Sequence, residues 1–361
     1  MTYLDYAATC PVVKYPQSLY RNTLGEGYFL NPNANYAYRE KRLLEQAENR
    51  VKKAIGAKSG RVVFGGTSSQ LIENLMSANH DCQVWCSPWE HDSFFRYADD
   101  VVSDLDTLES WLKIALPSEI DDFYVSRPCV MWQAVQNITG EIFPVEEIGK
   151  LVRKYHGFYI CDGTAQISHI YIPPQIDEWC DFWCCSGHKI GTELGIGCVW
   201  ISDRLDKWLN GFKLHGTPNL AGALALTQAV EDACDIVNIA YHNKHWIDLY
   251  KSLCDMLIDN NIVCYNVDTA NAEDFAYAIN TIRLPGFNAD ALQQFLASKQ
   301  VYVSIGGSAC AEAHDYRVLN AYGLSNDEAS EVIRVSFGED SSVENVETLV
   351  DGITAFRKEY L

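Results

Sequence analysis

A chain of 361 residues is long enough for about two average domains, or for one large α/β unit with an appendage. Its 48% hydrophobic and 21% charged content, with no low-complexity tract, supplies a sizeable core and excludes a fibre, a disordered chain or a disulfide-stapled miniprotein. Against 48 aspartates and glutamates stand 28 lysines and arginines, and the net charge of −20 opposes an electrostatic grip on nucleic-acid phosphates or anionic lipid.

Residues 1–11 have no basic region followed by an apolar run, and no stretch approaches the ~20 apolar residues of a membrane span, so a soluble cytoplasmic protein is expected. The 13 cysteines are odd in number and scattered through apolar segments, as at Cys161, Cys198, Cys234 and Cys264, which fits reduced thiols better than a disulfide framework. Cys82 with Cys86, and Cys180 with Cys184 and Cys185, lack zinc-knuckle spacing and read as core packing, so no metal site is expected.

Residues 39–55 set Leu43, Leu44, Ala47, Val51 and Ala54 at helical intervals, with Gly56 as a stop. Short apolar runs then alternate with helical patterns at 62–64, 84–86, 130–134, 158–161, 182–185 and 198–201. That alternation predicts an α/β fold with a mostly parallel sheet covered by helices on both faces. Helical stretches at 220–237 and 246–258 lead out of it. Beyond them, 275–284 reads as a strand, 289–297 as a helix, 301–304 and 333–337 as strands and 343–356 as a helix, a smaller α+β unit beginning near Asn260.

Ser186-Gly187-His188-Lys189 follows directly on an apolar run, with Gly191, Gly195 and Gly197 after it. A lysine at the mouth of a buried strand is poorly hydrated, which lowers its pKa and suits it to Schiff-base chemistry. The other reading is a snorkelling lysine in a glycine-rich loop. Asp162 ends the run 158–161, where ligands collect in open α/β sheets; a carboxylate there can pair with the ring nitrogen of pyridoxal phosphate, or simply cap a helix. Gly65-Gly66-Thr67-Ser68-Ser69, between a strand and a helix, offers amides and hydroxyls to a phosphate, and reads equally as a capped turn.

Taken in order with Tyr3-Leu4-Asp5-Tyr6-Ala7-Ala8-Thr9 and Gly307-Ser308-Ala309-Cys310, these segments resemble the cysteine desulfurases, class V aminotransferase-like members of the fold-type I pyridoxal-phosphate enzymes. The resemblance covers almost the whole chain. It implies a fold-type I transferase with a large domain at 16–259 built on a mostly parallel seven-stranded sheet. The small C-terminal α+β domain at 260–361 carries the catalytic cysteine loop, and residues 1–15 pack with it.

Position by position, the resemblance makes Lys189 the lysine that carries the cofactor, Asp162 the partner of the pyridine nitrogen and His91 the imidazole stacked on the ring. Asn137 matches the asparagine beside cofactor and substrate. Ser68, Ser69, Ser186 and His188 match phosphate contacts, and Gln166 a cofactor contact, although it follows Asp162 by four residues where the family's glutamine follows by three. Thr217 matches the threonine that reaches the neighbouring subunit's phosphate, which implies a homodimer with shared active sites. Arg334, in Ile333-Arg334-Val335-Ser336, matches the clamp on the substrate carboxylate. Leu214 and Tyr36 depart from the family's arginine and histidine.

Cys310 lies in a small-residue segment with the look of a mobile loop, and matches the cysteine that accepts sulfur, whereas a cysteine taken alone reads as a small core residue. The implied reaction converts L-cysteine to L-alanine and leaves a persulfide on Cys310 for a sulfur-acceptor protein, a scaffold or a thiolation protein. The alternatives are a selenocysteine lyase, another class V lyase or aminotransferase, or a degenerate dimeric scaffold.

Overall fold

All six apolar runs that read as strands before residue 202 are paired in one sheet. The computed structural model describes the chain apart from residues 26–30, 78–81, 116–126, 168, 171–174, 210, 215, 267–274 and 307–314, so Cys310 lies outside the described residues. Numbered along the chain after β1 (Thr2–Tyr3), the sheet's strands are β2 (Arg61–Gly65), β3 (Val84–Cys86), β4 (Asp100–Val101), β5 (Cys129–Met131), β6 (Phe158–Asp162), β7 (Phe182–Ser186) and β8 (Gly197–Ile201). Their order is β2-β8-β7-β6-β5-β3-β4. Every neighbouring pair from β7 to β4 is parallel, and β8 runs antiparallel to both β7 and β2.

The central strands are buried on both faces, which is why they read as unbroken apolar runs. Alternation sends Tyr159, Cys161, Trp183, Cys185 and Trp200 into one packed layer, and Phe158, Ile160, Phe182, Cys184 and Val199 into the other. Asp162 and Ser186 continue the second set. The helix predicted at 39–55 runs Tyr38–Ala54, and Gly56 ends it at a φ of 74°.

The chain forms two compact units, Pro11–Ala134 with Phe143–Ile236, and Met1–Cys10 with Val135–Ile142 and Val237–Leu361. In the second, β1 pairs in parallel with β11 (Val301–Tyr302). Its antiparallel sheet has the order β12-β13-β10-β9, built from β9 (Tyr265–Asn266), β10 (Ile279–Arg283), β12 (Ser304–Ile305) and β13 (Val332–Ser336). Helices Ala289–Ser298 and Val343–Tyr360 approach closely at Gly352, where a Cβ would stand 2.5 Å from Leu296.

Three details differ from the sequence reading. The stretch 220–237 is two helices, Leu220–Ala233 and Ile236–Asp259, and the second goes with the C-terminal residues. Its Trp246 indole donates to the Gly338 carbonyl at 3.3 Å and His245 Nε2 meets that of Ser341 at 2.7 Å, so the compact unit starts at Val237 where the sequence pattern changes near Asn260. The run 301–304 is divided at Val303 between β11 and β12. Cys82 and Cys129, expected as thiols, form a disulfide: the Cys129 amide donates to the Gln83 carbonyl, which brings the two Cα atoms to 6.2 Å. No described helix is long and apolar enough to cross a membrane.

Candidate active site

One glycine explains how the two serine-bearing turns meet. In the register of β8, Gly197 stands opposite Gly65 of β2 on one side and Ser186 of β7 on the other. A Cβ on Gly197 would lie 2.8 Å from the Gly66 carbonyl and 3.4 Å from the Ser68 amide, so only glycine lets the Gly65–Ser68 turn close on this strand end. Because β2 and β7 both run antiparallel to β8, their carboxyl ends lie at the same edge, where β6 ends at Asp162. Ligands of open α/β sheets bind at this edge.

Ser68 begins the helix Ser68–Ser77, and Thr67 caps it. The Gln70 amide donates to Thr67 Oγ1 at 3.3 Å and the Thr67 amide to Gln70 Oε1 at 3.2 Å, a reciprocal box that stabilises such a helix start by about 1 kcal/mol. The cap uses the amides of residues 67 and 70, and leaves those of Ser68 and Ser69 at the positive end of the helix. The Ser68 hydroxyl is 3.3 Å from that of Thr164, whose amide donates to Asp162 Oδ1 at 2.9 Å. Thr164, which the sequence reading passed over, thus ties Asp162 to the serine turn. Its signal was legible, since an aspartate commonly accepts from the amide two residues on.

Asp162 is buried, and its described partners, the Thr164 amide and the Cys184 thiol at 3.6 Å, both address Oδ1. Oδ2 accepts from no described residue. Asp181, at the opposite end of β7, is used differently. Arg153, Arg204, Ser202 and the Tyr159 amide engage its carboxylate, as a structural charge requires.

After Ser186 the chain makes a single 3₁₀ turn, Gly187–Lys189. Gly187 has no room for a side chain, since a Cβ would meet Thr192 Oγ1 at 2.2 Å. Lys189 is half-buried on this turn. His91 caps the short helix Asp92–Phe95; its Nδ1 accepts from the Ser93 amide at 3.2 Å, which puts the proton of the neutral ring on Nε2.

Gln166 does not join this group. Its carboxamide oxygen accepts from Trp183 Nε1 at 3.0 Å, on the face of the sheet opposite Asp162, and its buried Nε2 has no partner among the described residues. One residue more between Asp162 and the glutamine accompanies this turn into the core. Thr217 is exposed, and its hydroxyl accepts from Asn31 Nδ2 at 3.3 Å. Leu214 packs over Gly65, where a Cβ would stand 2.8 Å from it, and Tyr36 is exposed. Asn137 and Arg334 belong to the other unit, where Arg334 Nη1 donates to the Asn137 carbonyl at 2.9 Å.

The described cysteines account for twelve of the 13. Cys82 and Cys129 are joined and six others are buried. Of the remaining four, burial pushes Cys10 and Cys234 up to about 12 and raises Cys254 and Cys264. None of these four has the lowered pKa of a reactive thiol.

Two histidines, buried His169 and half-buried His188, lie close enough to feel the Lys189 charge. Burial, with the Lys189 ammonium adding to it, lowers His188 to about 4; burial also lowers His169 to about 4, despite its bond to the Ala165 carbonyl at 2.9 Å. Both rings are therefore neutral near pH 7, and the unfolded chain binds protons at them from 6.5 downward while the folded chain waits until about 4. Their contribution to stability is full above 6.5 and is lost as pH falls toward 4. Glu48, which burial raises from 4.5 to about 7, acts in the opposite sense over the same range. With two groups against one, the urea midpoint is expected to fall on acidification from neutral pH to about pH 5, and more steeply in Glu48→Gln. A midpoint that rises on acidification contradicts this.

The edge fits what pyridoxal phosphate requires. Asp162 offers an open carboxylate oxygen to a ring N–H, the Ser68 and Ser69 amides and Ser186 lie at the same edge as donors a phosphate would need, and a lysine follows on the next turn.

A family described as Aminotransferase class-V matches residues 2–349. The Borreliella burgdorferi protein named "Probable cysteine desulfurase" is 24% identical over 353 residues, 78% of this chain and 79% of its own length. "Cysteine desulfurase IscS" of Mannheimia succiniciproducens is 24% identical over 387 residues, covering 97% of this chain and 91% of the relative. The X-ray structure of a NifS-like protein from Rickettsia africae superposes with a TM-score of 0.80 at 20% identity, covering 99% of both chains.

Proposed function

Since the chain belongs to the aminotransferase class-V family, we propose that it is a pyridoxal-phosphate-dependent cysteine desulfurase that converts L-cysteine to L-alanine and carries the released sulfur on Cys310. The observation that carries this reading is the open oxygen of buried Asp162 at the same sheet edge as the serine cradle and the Lys189 turn. The curated relatives named as cysteine desulfurases support the substrate.

Bound at this edge, pyridoxal phosphate supplies a sink for the electrons left at the substrate Cα. Asp162 accepts from the ring N–H and keeps that nitrogen protonated. Ser68, Ser69, Ser186 and His188 hold the phosphate, His91 lies against the ring, and Asn137 serves cofactor and substrate. Arg334 takes the substrate carboxylate. Lys189 Nζ removes the Cα proton, and its short tether keeps the base at the atom it serves.

The Cys310 thiolate then attacks the substrate sulfur. A sulfur–sulfur bond forms, the carbon–sulfur bond breaks with its electron pair going to Cβ, and alanine results once Cβ is protonated and Lys189 returns to Cα the proton it took. A sulfur-acceptor protein takes the sulfur from the persulfide. Exposed Thr217 is kept for the phosphate site of a second copy in a homodimer.

The purified protein, loaded with pyridoxal phosphate and mixed with L-cysteine without reductant, should yield alanine and protein-bound sulfur in equal amounts in the first turnover. Pyruvate as the product, or alanine without protein-bound sulfur, defeats the reading.

A further inference from the structure

The sequence reading assigned no role to Asp5. Its segment is laid along β13: the Ser336 amide donates to the Leu4 carbonyl at 2.8 Å, the Ala7 amide to Ser336 Oγ at 2.9 Å, and Asp5 itself bridges to Ser336. This anchorage brings the Asp5 carboxylate to Arg334, two positions earlier on the strand. Asp5 Oδ1 is 2.9 Å from Arg334 Nη2 and 2.7 Å from Ser304 Oγ, and Nη2 is 3.0 Å from that hydroxyl.

These distances close a triangle whose two acceptors subtend roughly 60° at Nη2, half the angle between the two N–H bonds of that nitrogen in a planar guanidinium. With Nη1 on the Asn137 carbonyl, groups from three other chain segments fix the plane of a guanidinium that is 1% exposed. Nε, also buried, has no hydrogen-bond partner among the described residues. A buried donor in a guanidinium whose plane is fixed calls for an acceptor, and the described residues supply none to Nε.

We propose that Asp5, acting with Ser304, is a positioning residue that sets the plane of Arg334 so that Nε–H is presented to the α-carboxylate of the amino-acid substrate. The proposal rests on the reading of Arg334 as the carboxylate site and adds the group that aims it. Asp5 need not touch the substrate. It pre-orients the donor and offsets the charge of the guanidinium, so recognition depends on a directed hydrogen bond more than on bare attraction.

The test compares two ligands that differ only in the carboxylate, L-alanine and ethylamine, titrated calorimetrically into the pyridoxal-phosphate-loaded protein. Wild type should prefer L-alanine, and Asp5→Ala should reduce that preference about tenfold with ethylamine binding changed less than about twofold, because only the carboxylate contact is lost. Asp5→Asn, which keeps the accepting Oδ1, should return to within about threefold of wild type, and Ser304→Ala should lose about threefold should Asp5→Ala fail to fold. With L-cysteine as substrate the same loss should appear in KM and not in kcat.

An Asp5→Ala protein that loses both ligands equally, or keeps the wild-type preference, overturns the proposal. Wild type without any preference overturns it together with the role of Arg334. A wild type that makes no alanine from L-cysteine but shows the preference, lost in Asp5→Ala, removes the desulfurase reading and sustains this one.

Discussion

Replacing Lys189 by alanine is expected to lower alanine formation from L-cysteine by roughly 10³-fold or more, since one nitrogen is lost both as covalent anchor and as base. The proposed phosphate cradle does not include the lysine side chain: it draws on the turn of residues 65–69 and on Ser186, which meet around Gly197, so Lys189→Ala should still retain pyridoxal phosphate through dialysis. Lys189→Arg separates charge from chemistry. A guanidinium remains protonated at any workable pH, so it keeps the positive charge and cannot take up the Cα proton. Alanine assays and absorbance spectra of the three proteins check this, and an arginine variant with more than about a tenth of wild-type turnover contradicts the role of base.

Replacing Cys310 by alanine is expected to stop sulfur release and leave the earlier proton chemistry running. In the proposed reaction two halves use different residues: Lys189 and Asp162 serve the Cα, while Cys310 serves only the sulfur. Cys310→Ala mixed with L-cysteine in deuterated water should therefore exchange the Cα proton at a rate near wild type, while alanine formation falls by about 10²-fold or more. Serine in place of Cys310 should do no better, because its hydroxyl is protonated near neutral pH and cannot carry sulfur as a persulfide. The twelve other cysteines are poor substitutes: two are joined, six are buried and burial raises the remaining four. Normal turnover in Cys310→Ala contradicts the assignment.

Much of the large sheet was legible because β6, β7 and β8 are buried on both faces, and burial leaves an apolar run that no alternation interrupts. The edge strand Asp100–Val101 was not, for two exposed residues leave no pattern. Nor was the break between the helices ending at Ala233 and beginning at Ile236, where neither glycine nor proline interrupts the helical sequence. The disulfide depended on β3 and β5 being neighbours, which spacing alone does not disclose.

At the candidate site, the strand-end places of Asp162 and Ser186, and of Lys189 on the turn after Ser186, were legible because polar residues follow apolar runs there. The partners of Arg334 were not: Asp5 is 329 residues away in sequence, and only the pairing of the first residues along β13 brings it there. Gln166 was misplaced because its side chain turns to the opposite face of the sheet, a choice that residue type does not reveal.

The most direct test of the central claim, that Lys189 and the strand ends around it hold pyridoxal phosphate for the reaction of an amino acid, is borohydride reduction of the purified protein followed by peptide mapping. The account predicts a single pyridoxyl-labelled peptide carrying Lys189, and loss of the label when L-cysteine is added before the reductant. A label on any other lysine, or a label that L-cysteine does not remove, contradicts it.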